Sequence, residues 1–234
     1  MKSYFRAVAA LAAVSVIALA AACGGGKDAA QPATGGVTQQ PASAAKLASD
    51  AQKTLESGKV DEAVAQFSTA VAEGANSAAA FSGLAAGLIQ QGKYEEAIED
   101  LGRAIVQEPK NDAFFESRAI AETELFKKNG DKSLLVRAIL DADASFKLKP
   151  DRIGPLFARG EAYFLNGDYD KALADMQECV KRSKGFQRAW IVKGKTEAAM
   201  GKTADAKASF QQVVQLDPNG QNGEQAKAEL AKLP

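Results

Sequence analysis

The sequence predicts an all-α chain: an α-solenoid of about five helix-turn-helix units with a further helix closing its C-terminal end. Three spacings predict it. Gly58 to Gly92 and Gly167 to Gly201 are each 34 residues apart, and Gly92 to Gly167 is 75, two such periods plus seven. An alanine follows each of these glycines by five residues, at Ala63, Ala97, Ala172 and Ala206. Pro109 to Pro150 is 41 and Pro150 to Pro218 is 68, one period plus seven and then two periods. A period of this length marks one supersecondary unit copied and stacked, an architecture that usually provides binding surfaces.

In register, the copies span 44–77, 78–111, 112–152, 153–186 and 187–220. The first is diverged but keeps Leu47, Ala51, Ala63 and Phe67, with Ala75 where other copies have proline. In the second, Phe81, Leu84, Ala85 and Leu88 fall on one helical face. Gly92 ends that helix because glycine alone enters the left-handed region without steric penalty. Tyr94, Ala97, Ile98, Leu101, Ala104 and Ile105 mark a second helix, which Pro109 closes. Each copy is thus a pair of antiparallel helices, A then B. The third copy holds the seven extra residues, and its turn is expected at Asn129-Gly130. Seven residues are about two helical turns, so both helices of this copy are expected to be one turn longer, with Lys127, Lys128 and Lys132 at the tip. This tip reads as a solvated loop that tolerates insertion, the alternative being a docking knob. The fourth copy has Leu156, Gly160, Tyr163, Ala172 and Met176, and the fifth Trp190, Gly194, Ala206, Phe210 and Pro218. Beyond Pro218, residues 221–234 place Ala226, Leu230 and Leu233 on one face, as a helix covering the last apolar surface of a stack would.

These residues resemble the tetratricopeptide repeat (TPR) pattern of a large residue, Leu-Gly, Tyr, Ala, Phe and Pro. The resemblance covers about three quarters of the chain and implies a right-handed α-solenoid whose A-helices line an inner groove. Asp50, Arg118, Arg159 and Lys193 depart from it, standing where leucine is usual. The arginines and lysine are expected to lay their stems along the seam and keep their charges in water.

The first 23 residues have Lys2 and Arg6, an apolar run from Ala7 to Leu19, and Ala20-Ala21-Ala22 before Cys23, the layout of a signal peptide at 1–22. Leu19 to Cys23 resembles the lipobox of bacterial lipoproteins, in which the cysteine becomes the lipidated first residue. Leu19 stands one place early, and the three alanines also suit ordinary cleavage to a secreted protein. The Gly-, Gln- and Pro-containing stretch 24–43 reads as a flexible tether, which favours the lipoprotein. Gly24, in place of the aspartate associated with inner-membrane retention, favours an outer-membrane anchor facing the periplasm.

Removing Lys2 and Arg6 from the 29 basic residues leaves 27 against 29 acidic ones. That balance gives no support for nucleic-acid binding or a polybasic membrane patch. The chain has no histidine, so the commonest general base and zinc ligand is missing. No phosphate-binding loop precedes a helix, since Gly24-Gly25-Gly26-Lys27 lies in the tether. The pairs Asp61-Glu62 and Glu95-Glu96 sit at B-helix starts, where they favour the helix dipole. Cys179 matches the small core positions Ala70, Ala104 and Val213 and reads as a packing thiol. No catalytic residue, metal ligand, cofactor or small-molecule substrate is expected.

Helix geometry then selects a protein-binding groove. With Phe81, Leu84, Ala85 and Leu88 facing the core, Ser82 and Ile89 turn toward the groove. The same offset selects Glu116 and Ile120, then Phe157, Glu161 and Phe164, then Ile191 and Lys195, with Arg188 at the edge. Phe157, Phe164 and Ile191 are expected to be exposed apolar anchors; the alternative is that a neighbouring helix of the same chain covers them. Some members of the family hold a peptide carboxylate with paired lysine and asparagine. Here Ser82, Ala86, Glu116 and Ile120 stand at those places, so that clamp is missing.

Together these features predict a non-enzymatic, lipid-anchored scaffold of the bacterial envelope that holds a peptide segment or helix of another envelope protein. In layout the chain is similar to tetratricopeptide lipoproteins serving outer-membrane barrel assembly and type IV pilus secretins. An alternative is an adaptor that recruits peptidoglycan hydrolases or polysaccharide-synthesis components. Direct glycan binding is disfavoured because the single tryptophan, Trp190, falls on an expected core position.

Overall fold

The computed structural model describes residues 41–234, which form eleven α-helices and, among the described residues, no strand. The expected signal peptide at 1–22, Cys23 and most of the expected tether lie outside the described residues. None of the described helices is long and apolar enough to cross a membrane. The chain divides into two compact units, one ending at Gln91 and the other running Gly92–Pro234.

The first unit contains α1 (Ala42–Glu56), α2 (Val60–Ala72) and α3 (Ala78–Gln91). Gly58, with φ of 83°, makes the turn between α1 and α2. The Phe67 ring and Val64 of α2 fill the space over Gly83 and Gly87 of α3, where a β-carbon would come within 2.4 and 2.5 Å of them.

The second unit contains α4 (Tyr94–Gln107), α5 (Asp112–Asn129), α6 (Lys132–Leu148), α7 (Gly154–Asn166), α8 (Tyr169–Arg182), α9 (Gln187–Ala199), α10 (Thr203–Leu216) and α11 (Gln221–Leu230). Each helix packs on the next, and the A-helices α5, α7 and α9 also touch in succession, with α9 touching α11. The B-helices α6, α8 and α10 make no comparable contact with one another. The A-helices therefore form one layer and the B-helices another.

The seven extra residues lengthen both helices of the third hairpin. Helix α5 has 18 residues and α6 has 17, against 13 or 14 in the hairpins α7–α8 and α9–α10. Gly130, with φ of 76°, makes their turn. Asn111 and Asp131 cap the two helices by accepting from the Ala113 and Ser133 amides. The tip is not a cluster of free lysines. Lys128 Nζ donates to the Gly92 carbonyl at 2.5 Å and lies 4.8 Å from the Tyr94 ring centre, and Lys127 is ion-paired; Lys132 is exposed.

Small residues let A and B approach. Ala119, Ala172 and Ala206 are fully buried, and a β-carbon at Gly194 would stand 2.7 Å from the Phe210 ring. Cys179 is likewise fully buried, and burial pushes its thiol up to about 12, helped by Asp175. That matches a packing thiol.

The seam also holds charge, contrary to the expectation that Arg118, Arg159 and Lys193 keep theirs in water. Arg118 of α5 donates from Nε and Nη2 to both Asp141 carboxylate oxygens of α6, at 2.6 and 2.8 Å. Arg159 of α7 grips Asp175 of α8 in the same two-pronged way at 2.9 and 2.8 Å, and reaches Asp143 of α6 at 2.7 Å. Lys193 of α9 donates to Ser209 of α10 at 2.9 Å and pairs with Glu197 on its own helix. Asp141, Asp175 and Ser209 are all buried, so water cannot replace the partners. Bidentate guanidinium–carboxylate geometry makes such pairs specific as well as strong.

Glu122 departs further. It is 1% exposed, aligned with Leu88 and Tyr163 of other hairpins, and among the described residues its ion pair is to Arg137 at 2.7 Å. Burial and, second, the neighbouring Asp141 push its carboxyl up to about 7, against the pull of Arg137 and Arg118.

Truncating Arg159 to alanine leaves Asp175 buried without its main cation and should cost about 3–5 kcal/mol. Arg159→Leu combined with Asp175→Ala should recover most of that loss in a urea-unfolding double-mutant cycle. For Glu122, the folded chain binds more protons than the unfolded chain between the ordinary value of 4.5 and about 7. Its contribution to stability is thus complete below pH 4.5 and lost as pH rises through 7. Glu122→Gln should flatten that decline and raise stability at pH 8 by about 1–3 kcal/mol, read from denaturation midpoints across pH.

Candidate protein-binding surface

The expected groove residues fall on the A-helices but not in one environment. On α3 in the first unit, Ser82 is half-buried, and its hydroxyl donates to the Ala79 carbonyl at 3.3 Å. Ile89 is only 4% exposed, so it belongs to the core and not to an open surface.

In the second unit, Glu161 of α7 occupies the centre of the A-helix face. One carboxylate oxygen meets Lys127 Nζ of α5 at 2.9 Å, and the other lies 3.7 Å from Arg188 Nη2 of α9. Lys127 also contacts Glu124 one turn back on α5, at 2.8 Å. Burial works against the Lys127 charge, but Glu161 and Glu124 more than offset it and hold its pKa above the ordinary lysine range. The result is a ladder of alternating charge, Glu124–Lys127–Glu161–Arg188, crossing three successive A-helices.

The Arg188 guanidinium lies 4.7 Å from the centre of the Phe157 ring and covers it. Phe157 is 2% exposed and packs on the Phe186 ring at 5.0 Å, within a cluster that includes Leu156, Met176 and Val180. Ile191 is 4% exposed, enclosed by Phe210, Val213 and the closing helix at Ala226 and Leu230. The expectation that these two side chains are exposed anchors is therefore corrected: the chain's own helices cover them. Ile120 and Phe164 remain half-buried, the first packed against the cluster of Ala119, Leu135 and Ala158, the second 6.0 Å from the Tyr169 ring.

Two more charges complete the face. Lys195 of α9 meets Glu229 of α11 at 3.4 Å. Burial raises the Glu116 carboxyl while Arg152 Nη2, at 2.6 Å, lowers it and Asp112 adds to the rise; the net shift is upward. The structure thus brings Phe157, Glu161 and Arg188 together, sets Ile191 and Lys195 against α11, and leaves Glu116 in a separate pair with Arg152. Arg152 and Glu229 were missed by sequence reasoning, and Lys127 was assigned to the hairpin tip and not to this face. Lys127 lies in the stretch lengthened by the insertion, where the local spacing between equivalent residues is 41, so repeat register aligns Glu161 with Ile120 and gives no signal for its pairing with Lys127. No group of side chains able to hold a metal occurs among the described residues.

A double-mutant cycle at Lys127 and Glu161 should give a coupling of about 0.5–1 kcal/mol in low salt, shrinking toward zero at 1 M salt. Thermal unfolding of the four variants at both salt concentrations measures it.

Family models described as tetratricopeptide repeat match residues 41–114, 154–186 and 187–219, together more than half of the chain. They leave out 115–153, most of the lengthened third hairpin. A comparison with curated protein sequences finds no match. Among solved structures, the chain is similar to TTC0263, a TPR protein of Thermus thermophilus, with 18% identity, TM-score 0.64, and 80% of this chain and 97% of that one covered. A tetratricopeptide repeat protein of Parabacteroides merdae gives 15% identity, TM-score 0.68, and coverage of 83% and 73%. YrrB, described as a TPR protein with an unusual peptide-binding site, gives 18% identity, TM-score 0.61, and coverage of 79% and 92%.

Proposed function

Because the chain belongs to the tetratricopeptide repeat family, we propose that it is a non-enzymatic scaffold holding a peptide segment or helix of a protein partner against its A-helix face. The observation that carries this is the charge ladder through Lys127, Glu161 and Arg188, flanked by the half-buried Ile120 and Phe164. Such a surface sets the register of a partner by charge, while the apolar side chains beside it supply contact area. The peptide-binding site described for YrrB supports this kind of ligand.

We further propose that the chain is anchored by lipid at Cys23 to the outer membrane of a bacterial envelope and faces the periplasm, where its partner belongs to an assembly or export machine. The support is the sequence of residues 1–43: a basic start, an apolar run, small residues before the cysteine, and a polar tether. In this reading the lipid fixes location and the repeats choose the partner.

A photoreactive amino acid placed at Phe164 or Lys195, with a control at exposed Glu99 on α4, tests the binding face in intact cells. A discrete intermolecular adduct from Phe164 or Lys195 alone is expected. Equal labelling from Glu99, or only intramolecular products, would remove the A-helix face from consideration. Separately, Cys23→Ser should abolish incorporation of a clickable palmitate analogue and release the chain from the membrane fraction; labelling that persists would sink the anchor.

A further inference from the structure

Away from the A-helix face, the second unit carries a hollow of about 390 Å³ on its B-helix side. Gln177, Val180 and Lys181 of α8, Lys184 of the following turn, Trp190 of α9 and Gln212 of α10 line it. Its floor is apolar. Val180 is buried, and Trp190 is half-buried instead of taking the core position its register predicts. The indole N–H donates to the Lys184 carbonyl at 2.8 Å, which pins the ring and leaves its apolar surface to line the hollow.

The rim has one sign of charge. None of the six lining residues is acidic. The Lys184 ammonium has no ion pair among the described residues, and Lys181 meets Glu178 at 3.3 Å while 80% exposed. Lys193 Nζ lies 5.4 Å from the Trp190 ring centre, its charge paired with Glu197, so the cationic character of the rim comes from Lys184 and Lys181. Gln177 and Gln212 place amides, each both donor and acceptor, on α8 and α10. A cationic, amide-bearing rim around an apolar floor is complementary to an apolar side chain with a carboxylate beside it. The volume lies at the small end of ligand sites and suits one or two side chains. A sugar would need several converging hydrogen-bonding groups, which the floor of Val180 and indole does not offer.

We propose that this hollow binds an acidic peptide segment of a protein partner, seating an apolar side chain on Trp190 and Val180 and a neighbouring carboxylate between Lys184 and Lys181. The site rests on the reading of the chain as a protein-binding scaffold, but it is a second surface, separate from the A-helix face. A scaffold with both surfaces can hold two segments at once, and even modest affinities then combine.

The test is a displayed library of short random peptides panned against the full chain, followed by titration of the enriched peptides. Trp190 is the only tryptophan, so its emission reports directly on the hollow. The expected result is enrichment of peptides with an apolar residue flanked by Asp or Glu, which shift Trp190 emission and bind more weakly in high salt. Lys184→Glu, at an exposed position whose backbone carbonyl is untouched, should weaken them about tenfold or more, and Lys184→Arg should retain binding. Peptides indifferent to Lys184→Glu, or no acidic–apolar enrichment, would overturn the proposal. Peptides lost on Glu161→Lys but kept on Lys184→Glu would also overturn it while leaving the A-helix face intact. If no peptide binds either surface, both readings fall. A Trp190 response to N-acetylglucosamine oligomers without any peptide response would replace the peptide by a sugar.

Discussion

At Gly194 a β-carbon would stand 2.7 Å from the Phe210 ring, and at Gly160 2.4 Å from Met176 Cε, so paired helices meet through their smallest residues. This close approach governs the rest of the second unit. It sets the distance across which Arg118 reaches Asp141 and Arg159 reaches Asp175 without leaving a void, and it brings the small Cys179 into the same packed layer. A larger residue at the seam would separate the helices and strand the carboxylates at once. Packing and charge pairing at the seam are therefore one constraint, and the guanidinium pairs add a directional test that apolar contact alone lacks.

The helices, their turns and the small seam residues were legible because they recur: glycine at each A-to-B turn, alanine five residues later in every hairpin but the lengthened third, where Leu135 stands, and apolar residues at helical spacing. The buried charge was harder to see. Arg118, Arg159 and Lys193 look like surface residues one at a time, yet Asp141, Asp175 and Ser209 recur opposite them at the same 34-residue period. Periodicity of the polar residues, not only the apolar ones, carried that information. The groove failed for a different reason. A-helices such as α7 and α9 touch their own B-helix, the preceding B-helix and neighbouring A-helices. So wide a buried arc leaves little room for a two-faced helix, and Phe157 and Ile191, placed on the open side by a simple wheel, are enclosed. Trp190 errs the other way: it aligns with the buried Leu156, but its larger ring extends to the edge of the stack and meets solvent.

The A-helix face that results is unlike a bare apolar cleft. Its charges already satisfy one another, with Glu161 shared between two cations and Lys127 between two carboxylates. A partner bringing its own charges must exchange with pairs already formed, so net gain per contact is small and selectivity comes from matching the whole row. The B-helix hollow is arranged oppositely, with Lys184 outside any ion pair among the described residues and Lys181 paired only at the exposed surface, around an apolar floor. The two faces would favour ligands of different composition.

The lengthened third hairpin has a consequence for how such an array can change in length. Measured between turn glycines, the seven added residues divide into four before Gly130 and three after it. With roughly 3.6 residues per turn, four residues advance a helix by a little more than one revolution and three by a little less. Each arm therefore gains close to one whole turn, and below the tip the side chains keep the faces they have in the 34-residue hairpins: Arg118 meets Asp141 across this seam as Arg159 meets Asp175 across the next. An insertion far from a whole turn would rotate those seam residues off their partners. Length in this architecture is thus quantised: a hairpin can grow by paired turns, and its tip can vary freely in reach while the phase of the array is conserved.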